Sequence, residues 1–248
     1  MELKGKVALI TGASSGIGEG VVRKLAEKGV KVALAARSEE KLNQSVQKLQ
    51  ADGFDAFAVK MDVVDKESVR LAVEKISTHY GNIDILVNNA GIMPASDVDA
   101  FKLDEWEQMV DVNIKGVLNV TGAVLPKLIA QKSGHIINLS SIAGRKLFKG
   151  LGVYCGTKHF VAAFSDIMRM EIGKKHNVRV TSIQPGAVAT NLYDQISDPN
   201  YKAGMEALKD QMTFLTPTDI AGSMIYALES PDYVDVSEIF ILPTDQEW

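Results

Sequence analysis

Seven short apolar runs, each parted from the next by a stretch with helical periodicity, leave this chain of 248 residues very few architectures. The runs are Lys6–Ile10, Lys31–Ala36, Asp55–Lys60, Ile83–Val87, His135–Leu139, Val178–Ile183 and Glu238–Leu242. Helices are predicted after Gly18, with Val21, Val22, Leu25 and Ala26 on one face and Gly29 as the stop, and over Glu39–Ala51 and Lys66–Tyr80, the last ended by Gly81. Further helices are predicted over Leu103–Gln131, Val153–His176 and Thr218–Glu229, with Pro126 kinking or interrupting the first of these. Strands alternating with helices predict an α/β fold, a doubly wound, seven-stranded and mostly parallel sheet covered on both faces. No polar, low-complexity linker divides the chain, so residues 1–248 are read as a single domain. In such a sheet ligands bind beyond the carboxyl ends of the strands. Gly12, Arg37, Asp62, Asn89, Ser141 and Pro185 all fall at such ends.

The first strand runs directly into Thr11-Gly12-Ala13-Ser14-Ser15-Gly16-Ile17-Gly18, and the first helix follows. Strand, glycine turn and helix form the context of a dinucleotide site. Gly12 permits the tight turn, Gly16 lets backbone approach a pyrophosphate, and Gly18 lets helix pack closely on strand. Free N–H groups and the dipole at the helix start favour phosphate charge. The glycines are spaced G-x-x-x-G-x-G, which by itself is equally a structural turn. The second strand ends at Ala36 followed by Arg37, with no acid to hold a ribose 2′-hydroxyl. A guanidinium pairs with a 2′-phosphate, so the sequence predicts NADP(H) over NAD(H).

Tyr154 and Lys158 stand four residues apart within a predicted helix and so share one face. An ordinary tyrosine has a pKa of about 10, and a neighbouring ammonium is expected to lower it. Such a phenol exchanges a proton near neutral pH, as carbonyl–alcohol interconversion requires. Alone, the pair is a common pattern of exposed helix faces. A Ser-Ser pair, Ser140 and Ser141, lies a short way upstream.

In order along the chain stand the glycine turn, Asn88-Asn89-Ala90-Gly91, Asn113, Ser141, Tyr154 with Lys158, and Pro185-Gly186 leading to Thr190. Together these motifs resemble the short-chain dehydrogenase/reductase family across nearly the whole chain. The resemblance implies a Rossmann-like domain and names Asn113, Ser141, Tyr154 and Lys158 as catalytic. Tyr154 would give the proton, Lys158 would tune it and hold the nicotinamide ribose, and Ser141 would bond the substrate oxygen. Asn113 would anchor a water linking Lys158 to solvent. It implies cofactor contacts at Gly12, Ser14, Ser15, Gly16, Ile17, Gly18, Arg37, Asp62, Val63, Asn89, Ala90, Gly91, Tyr154, Lys158, Pro185, Gly186, Val188 and Thr190. Taken singly, Asn113 reads equally as a helix residue bonded to nearby backbone, the two serines as a strand end, and Asp62 as a cap for the helix beginning near Asp65.

The chain departs from many relatives at its end, Phe240-Ile241-Leu242-Pro243-Thr244-Asp245-Gln246-Glu247-Trp248, where an aspartate and paired glycines are usual. That ending resembles a subgroup of NADP-dependent reductases acting on small hydroxy acids, aldehydes and ketones. The expected function is therefore an NADPH-dependent carbonyl reductase with a small-molecule carbonyl or alcohol substrate. The alternative is a non-enzymatic module sensing the NADP(H) redox state. A sugar-nucleotide epimerase on the same fold needs an extra substrate lobe, for which this length leaves no room. The resemblance also implies a homodimer or homotetramer. Val117, Leu118, Val124, Phe160, Phe164 and Met168 could form its faces or could equally face the sheet, and the tail from Thr244 to Trp248 could reach a neighbouring subunit.

Charge and composition exclude other classes. The net charge is −4, with no basic patch for nucleic acid and no polybasic run for anionic lipid. No segment approaches the ~20 apolar residues needed to span a bilayer, and Met1–Gly5 lacks an apolar leader, so a cytoplasmic protein is expected. A single cysteine, Cys155, excludes an internal disulfide and reads as a buried hydrophobe. The four histidines lack metal-ligand spacing, and no metal site is read. The stretch 191–216 breaks the strand–helix rhythm and is read as a lid over substrate, with an ordinary surface excursion as the alternative. Phe148, Tyr193, Met205 and Met212 point to a partly apolar pocket.

Overall fold

The computed structural model describes residues 2–247. Seven parallel strands form one sheet in the order β3-β2-β1-β4-β5-β6-β7. They are β1 (Val7–Thr11), β2 (Lys31–Ala36), β3 (Ala56–Lys60), β4 (Ile85–Asn88), β5 (Gly134–Leu139), β6 (Val178–Pro185) and β7 (Glu238–Ile241). The chain steps outward from β1 to β3, then crosses back to lay β4 on the other side of β1. That reversal opens a crevice beyond the carboxyl ends of β1 and β4.

The two-residue period of β1 explains why both sheet faces are covered. Ala8 and Ile10 join one apolar layer with Val21 and Leu25 of α1 (Gly16–Glu27), Leu42 and Val46 of α2 (Glu39–Ala51), and Ile220 and Met224 of α8 (Pro217–Glu229). Val7 and Leu9 join the opposite layer with Val69 and Ile76 of α3 (Lys66–Tyr80), Val124 and Leu128 of α5 (Gly116–Gln131), and Met168 and Ile172 of α6 (Gly152–His176). Each such side chain taken fully out of water contributes about 1.5–3 kcal/mol. Val124 and Met168 thus face the sheet and Val117 is buried too, whereas Leu118 is exposed. Phe160 and Phe164 stack on each other, with ring centres 5.6 Å apart.

Helix starts follow local chemistry. Ser38 accepts the Lys41 amide, and the Asp65 carboxylate accepts those of Glu67 and Ser68. The stretch predicted as one long helix is α4 (Leu103–Val110), a wider turn at Asp111–Lys115 with π-type hydrogen bonding, and α5. The interruption expected at Pro126 is absent, because Pro126 lies inside α5. Pro126 and Gly122, four residues before it, are both exposed. The carbonyl that proline leaves unpaired therefore faces water, and glycine offers no side chain to crowd the ring.

Candidate active site

The glycine turn and the Asn88–Gly91 segment are clamped together across the crevice. The Thr11 hydroxyl accepts the amides of Asn89 (3.0 Å) and Ala90 (3.1 Å), while the Asn89 side-chain amide donates to the Thr11 and Gly12 carbonyls. Gly12 has φ +63°, and a Cβ there would lie 2.9 Å from the Ala90 Cα. A Cβ on Gly18 would lie 2.3 Å from the Gly12 carbonyl oxygen, so α1 meets β1 only with glycine at 18. Gly16, φ +55°, faces the Thr190 side chain across the gap, with 3.3 Å left for a Cβ.

A cavity of about 790 Å³ opens beyond these strand ends. Its wall includes Gly12, Ser14, Ser15, Gly16 and Ile17 of the turn, then Arg37, Asp62, Val63, Asn89, Ala90 and Gly91, and farther on Pro185, Gly186, Val188 and Thr190. Of the sequence-predicted contacts, Gly18 packs behind the wall rather than in it. Asp62 caps no helix: its carboxylate accepts the Val64 amide at 3.1 Å, and Asp65 does the capping instead. Ser38 and Lys41 stand beside Arg37 on the wall and escaped the sequence reading. The signal was present in a hydroxyl and a lysine at the start of α2, within four residues of the arginine.

Ser141, Tyr154 and Lys158 line the same cavity. Ser141 ends the β5 segment, and its hydroxyl oxygen accepts the Ala143 amide at 3.1 Å. Tyr154 and Lys158 occupy successive turns of α6, both buried, with the ammonium 5.7 Å from the ring centre. Ser140 has a different task from Ser141. Its hydroxyl donates to the Lys158 carbonyl at 2.8 Å and so pins the lysine's helical turn to the end of β5. Gly144 permits this, because a Cβ there would stand 2.5 Å from the Ser140 oxygen.

Asn113 sits in the wide turn between α4 and α5, a distortion frequent at functional sites. Its side chain both accepts the Ile92 amide and donates to the Ile92 carbonyl, each at 2.9 Å, and it donates to Thr157 at 3.2 Å. Thr157 in turn donates to the Tyr154 carbonyl at 2.8 Å. Asn113 therefore ties the Gly91–Ile92 backbone to the helix that carries the tyrosine. Gly91 leaves room for it: a Cβ there would lie 3.3 Å from the Asn113 oxygen and 3.7 Å from the Lys158 nitrogen.

The expected lowering of the tyrosine pKa is not found. Burial pushes Tyr154 up, and the hydrogen bond with Ser141 opposes this only in part. The Lys158 ammonium is not directed at the phenol but donates to the Leu139 carbonyl at 2.8 Å. Burial also lowers Lys158 itself to about 8. The unfolded chain therefore binds more protons than the folded one between about pH 8 and the ordinary lysine value of about 10.4. Stability is expected to rise with pH across the lower part of that window, up to about pH 10, where the raised Tyr154 begins to act oppositely. Denaturant midpoints measured from pH 7.5 to 9.5 check this; Lys158→Met should flatten the rise, and an equal rise in both proteins would refute it.

The far end of the cavity is walled by Ile92, Gln108, Val112, Asn191, Leu192, Tyr193 and Gln195. Behind it an apolar cluster gathers Tyr154, Cys155, Trp106, Phe148, Tyr193, Tyr201 and Met205. Of the four residues expected to make the pocket apolar only Tyr193 lines the cavity, Phe148 and Met205 lie in the cluster behind it, and Phe214 rather than Met212 is set edge-on to Tyr193, 5.8 Å between ring centres. Cys155 is buried. The 191–216 stretch contains a 3₁₀ turn, Asn191–Gln195, and helix α7 (Pro199–Leu208). The tail folds back on its own chain, where the Gln246 side chain accepts the Ala187 amide at 2.9 Å. Trp248 lies outside the described residues.

Among the described residues no group of three or more metal-ligating side chains forms, and no helix is long and apolar enough to cross a membrane. The chain is similar to known proteins in sequence and fold. A family model described as short chain dehydrogenase matches residues 6–200. An uncharacterised oxidoreductase of Listeria monocytogenes is 47% identical over the full length of both chains. The closed form of a serine dehydrogenase complexed with NADP+ superposes with a TM-score of 0.86 at 32% identity, over 98% of this chain and 96% of that one. An alcohol dehydrogenase from the archaeon Thermococcus sibiricus, complexed with 5-hydroxy-NADP, gives 0.85 at 31% identity over 98% of each. With the seven-stranded parallel sheet, the clamped glycine turn and the matched length, the chain belongs to the short-chain dehydrogenase/reductase family of oxidoreductases.

Proposed function

We propose that this protein is an NADPH-dependent reductase that interconverts a small aldehyde or ketone with its alcohol. The observation that carries this reading is one continuous cavity with Gly12, Gly16 and Arg37 at one end and Ser141, Tyr154 and Lys158 at the other. The residues present fit a dinucleotide. Two left-handed glycines and the start of α1 offer a cradle for pyrophosphate that side chains would fill. Arg37, Ser38 and Lys41 offer charge and donors for a 2′-phosphate. NADP(H), when bound, supplies or accepts the hydride. The chain's own residues do the rest. Ser141 donates to the substrate oxygen as negative charge develops on it. Tyr154 gives that oxygen its proton, and in the reverse direction the phenolate takes the alcohol proton. Lys158 supplies positive charge beside the phenol, and Asn113 holds the backbone and helix between which protons return.

The cavity chemistry favours uncharged carbonyl compounds over keto acids. The cations on its wall are Arg37 and Lys41 at the nucleotide end and Lys158 beside the tyrosine. At the far end Gln108, Asn191 and Gln195 offer amides but no cation, and Ile92, Val112 and Leu192 are apolar, so a carboxylate there would be partly desolvated without a counter-charge, which is costly. The test is cofactor oxidation with NADPH and NADH in parallel, against aldehydes, ketones and keto acids. Faster turnover of methyl acetoacetate than of acetoacetate is expected; the reverse order would exclude the neutral-substrate reading. Arg37→Ala should cut the preference for NADPH over NADH by about tenfold or more, the range of a charge-assisted hydrogen bond. An unchanged ratio would remove Arg37 as the discriminator.

The proposal includes a lid over residues 191–216. Two contacts tie it to the segment around α4: Ser197 donates to Glu105 at 2.5 Å, and the Tyr201 hydroxyl donates to Asp97 at 2.6 Å. The Tyr201 ring lies over Gly150, where a Cβ would come within 2.2 Å. Trypsin cleavage after Lys202 and Lys209 should slow when cofactor and substrate are added, and unchanged cleavage would argue for a fixed surface excursion. We extend the proposal to a homodimer or homotetramer, supported by the exposed Leu118 on α5 and Ile167 and Met170 on α6. Light scattering measures this directly, and a monomer at working concentration would withdraw it.

A further inference from the structure

We infer that Gln246, in the C-terminal tail, is a positioning residue for the nicotinamide half of the cofactor site. The inference rests on the cofactor reading above and adds a residue that lies outside the cavity wall.

The loop after β6 runs Gly186-Ala187-Val188-Ala189-Thr190, and Gly186, Val188 and Thr190 face the cavity. Four of its amides are held from beyond the loop by identifiable acceptors. Gly186 donates to the Ile241 carbonyl at 2.8 Å, continuing the β6–β7 pairing. Ala189 donates to the Leu215 carbonyl at 2.8 Å, while the Leu215 amide returns to the Ala187 carbonyl at 3.0 Å. Val188 donates to the Tyr193 phenol oxygen, and the Ala187 amide is held by a side chain of the tail, the Gln246 oxygen at 2.9 Å. Backbone partners follow from the fold and survive substitution, but this one does not.

The approach is close and built in. Gly186 sits directly beneath the tail: a Cβ there would lie 2.1 Å from the Gln246 oxygen, 2.8 Å from Leu242 and 3.0 Å from Pro243. The tail is turned toward the loop by its own hydrogen bond, from the Gln246 amide to the Pro243 carbonyl at 3.1 Å. Ala187 is buried and Gln246 half-buried, so losing the acceptor leaves an amide with restricted access to water. The peptide unit at Ala187 would then turn, and Gly186 and Val188 would carry their cavity-facing groups with it. Only the acceptor is required, since Ala187 donates and the side-chain nitrogen of Gln246 takes no part in the contact.

Two ligands separate this role from general loosening. NADPH engages the whole cavity, whereas 2′,5′-ADP carries the adenosine and 2′-phosphate and lacks nicotinamide. In fluorescence titrations Gln246→Met, which keeps length and removes the acceptor, should weaken NADPH binding by about five- to tenfold, the usual range for one lost hydrogen bond. The same variant should bind 2′,5′-ADP within twofold of wild type, which also reports an intact fold. Gln246→Glu, which keeps an acceptor oxygen, should recover most of the NADPH affinity. Equal weakening of both ligands, or unchanged NADPH binding in Gln246→Met, would overturn the inference while leaving the cofactor reading in place. Wild-type protein that binds neither ligand would overturn the cofactor reading and this inference with it.

Discussion

Tyr154→Phe is expected to lower turnover by about a hundred- to ten-thousandfold, the range that a positioned general acid supplies, with NADPH affinity and melting temperature near wild type. The substitution removes one oxygen and keeps the ring, which packs with Met93, Ala143 and Ile196 at 5% exposure. The Ser141 hydroxyl loses the phenol as acceptor but lines the cavity, where water can take its place, and its oxygen still accepts the Ala143 amide. The phenol is harder to ionise in this cavity than in water, since burial raises it. It is therefore reliably protonated at neutral pH, which suits a proton donor in the direction of carbonyl reduction. Steady-state rates with NADPH, beside a titration of the cofactor alone, provide the measurement. Turnover within tenfold of wild type would place the acid elsewhere.

Gly18→Ala should be the most damaging single methyl in the molecule. Its Cβ would stand 2.3 Å from the Gly12 carbonyl oxygen and 2.6 Å from the Asn89 side chain, and neither can retreat. Gly12 is held in a left-handed turn, and Asn89 is committed to the Thr11 and Gly12 carbonyls. Overpacking of rigid neighbours costs about 1–3 kcal/mol and sometimes more. With a shift of roughly 2–4 °C per kcal/mol in a chain of this size, the melting temperature should fall by roughly 2–12 °C. NADPH binding should weaken at least tenfold, because the displaced turn is the proposed pyrophosphate cradle. Gly222→Ala is the control. Gly222 is exposed in α8 with no atom within 4 Å of a Cβ, so alanine there should stabilise by about 0.5–1 kcal/mol. Thermal unfolding of the two variants compares a close approach with an ordinary helix position, and equal melting temperatures would contradict it.

Much of the architecture was legible because local rules act over a few residues. The unbroken apolar run Val7-Ala8-Leu9-Ile10 announces a buried strand, and the helices read over Glu39–Ala51 and Lys66–Tyr80 are the ones the structure shows. The glycine turn was equally plain, since left-handed backbone at Gly12 and Gly16 narrows the choice of residue to glycine. The interruption weighed at Pro126 fails for a related reason. The sequence marks a missing donor, but whether a helix breaks there depends on whether the orphaned carbonyl meets water or core.

The order of the motifs along the chain thus determined the sheet, the crevice and the residues that meet in it. The ionisation of that site and its bracing were settled by the folded arrangement. Tyr154 and Lys158 are neighbours in any helix, yet whether the phenol rises or falls depends on how much water the surrounding cluster excludes and on the lysine turning to Leu139. The resemblance singles out Ser141 for the substrate oxygen, but the task of Ser140 emerges only when the end of β5 meets α6 and its hydroxyl finds the Lys158 carbonyl. Gln246 bonds an amide 59 residues away. Helix and strand preferences are local free energies, summed over contacts a few residues apart. Desolvation and hydrogen-bond partnership at this site are set by which distant segments fold against each other, and those have no signature within any short window of the chain.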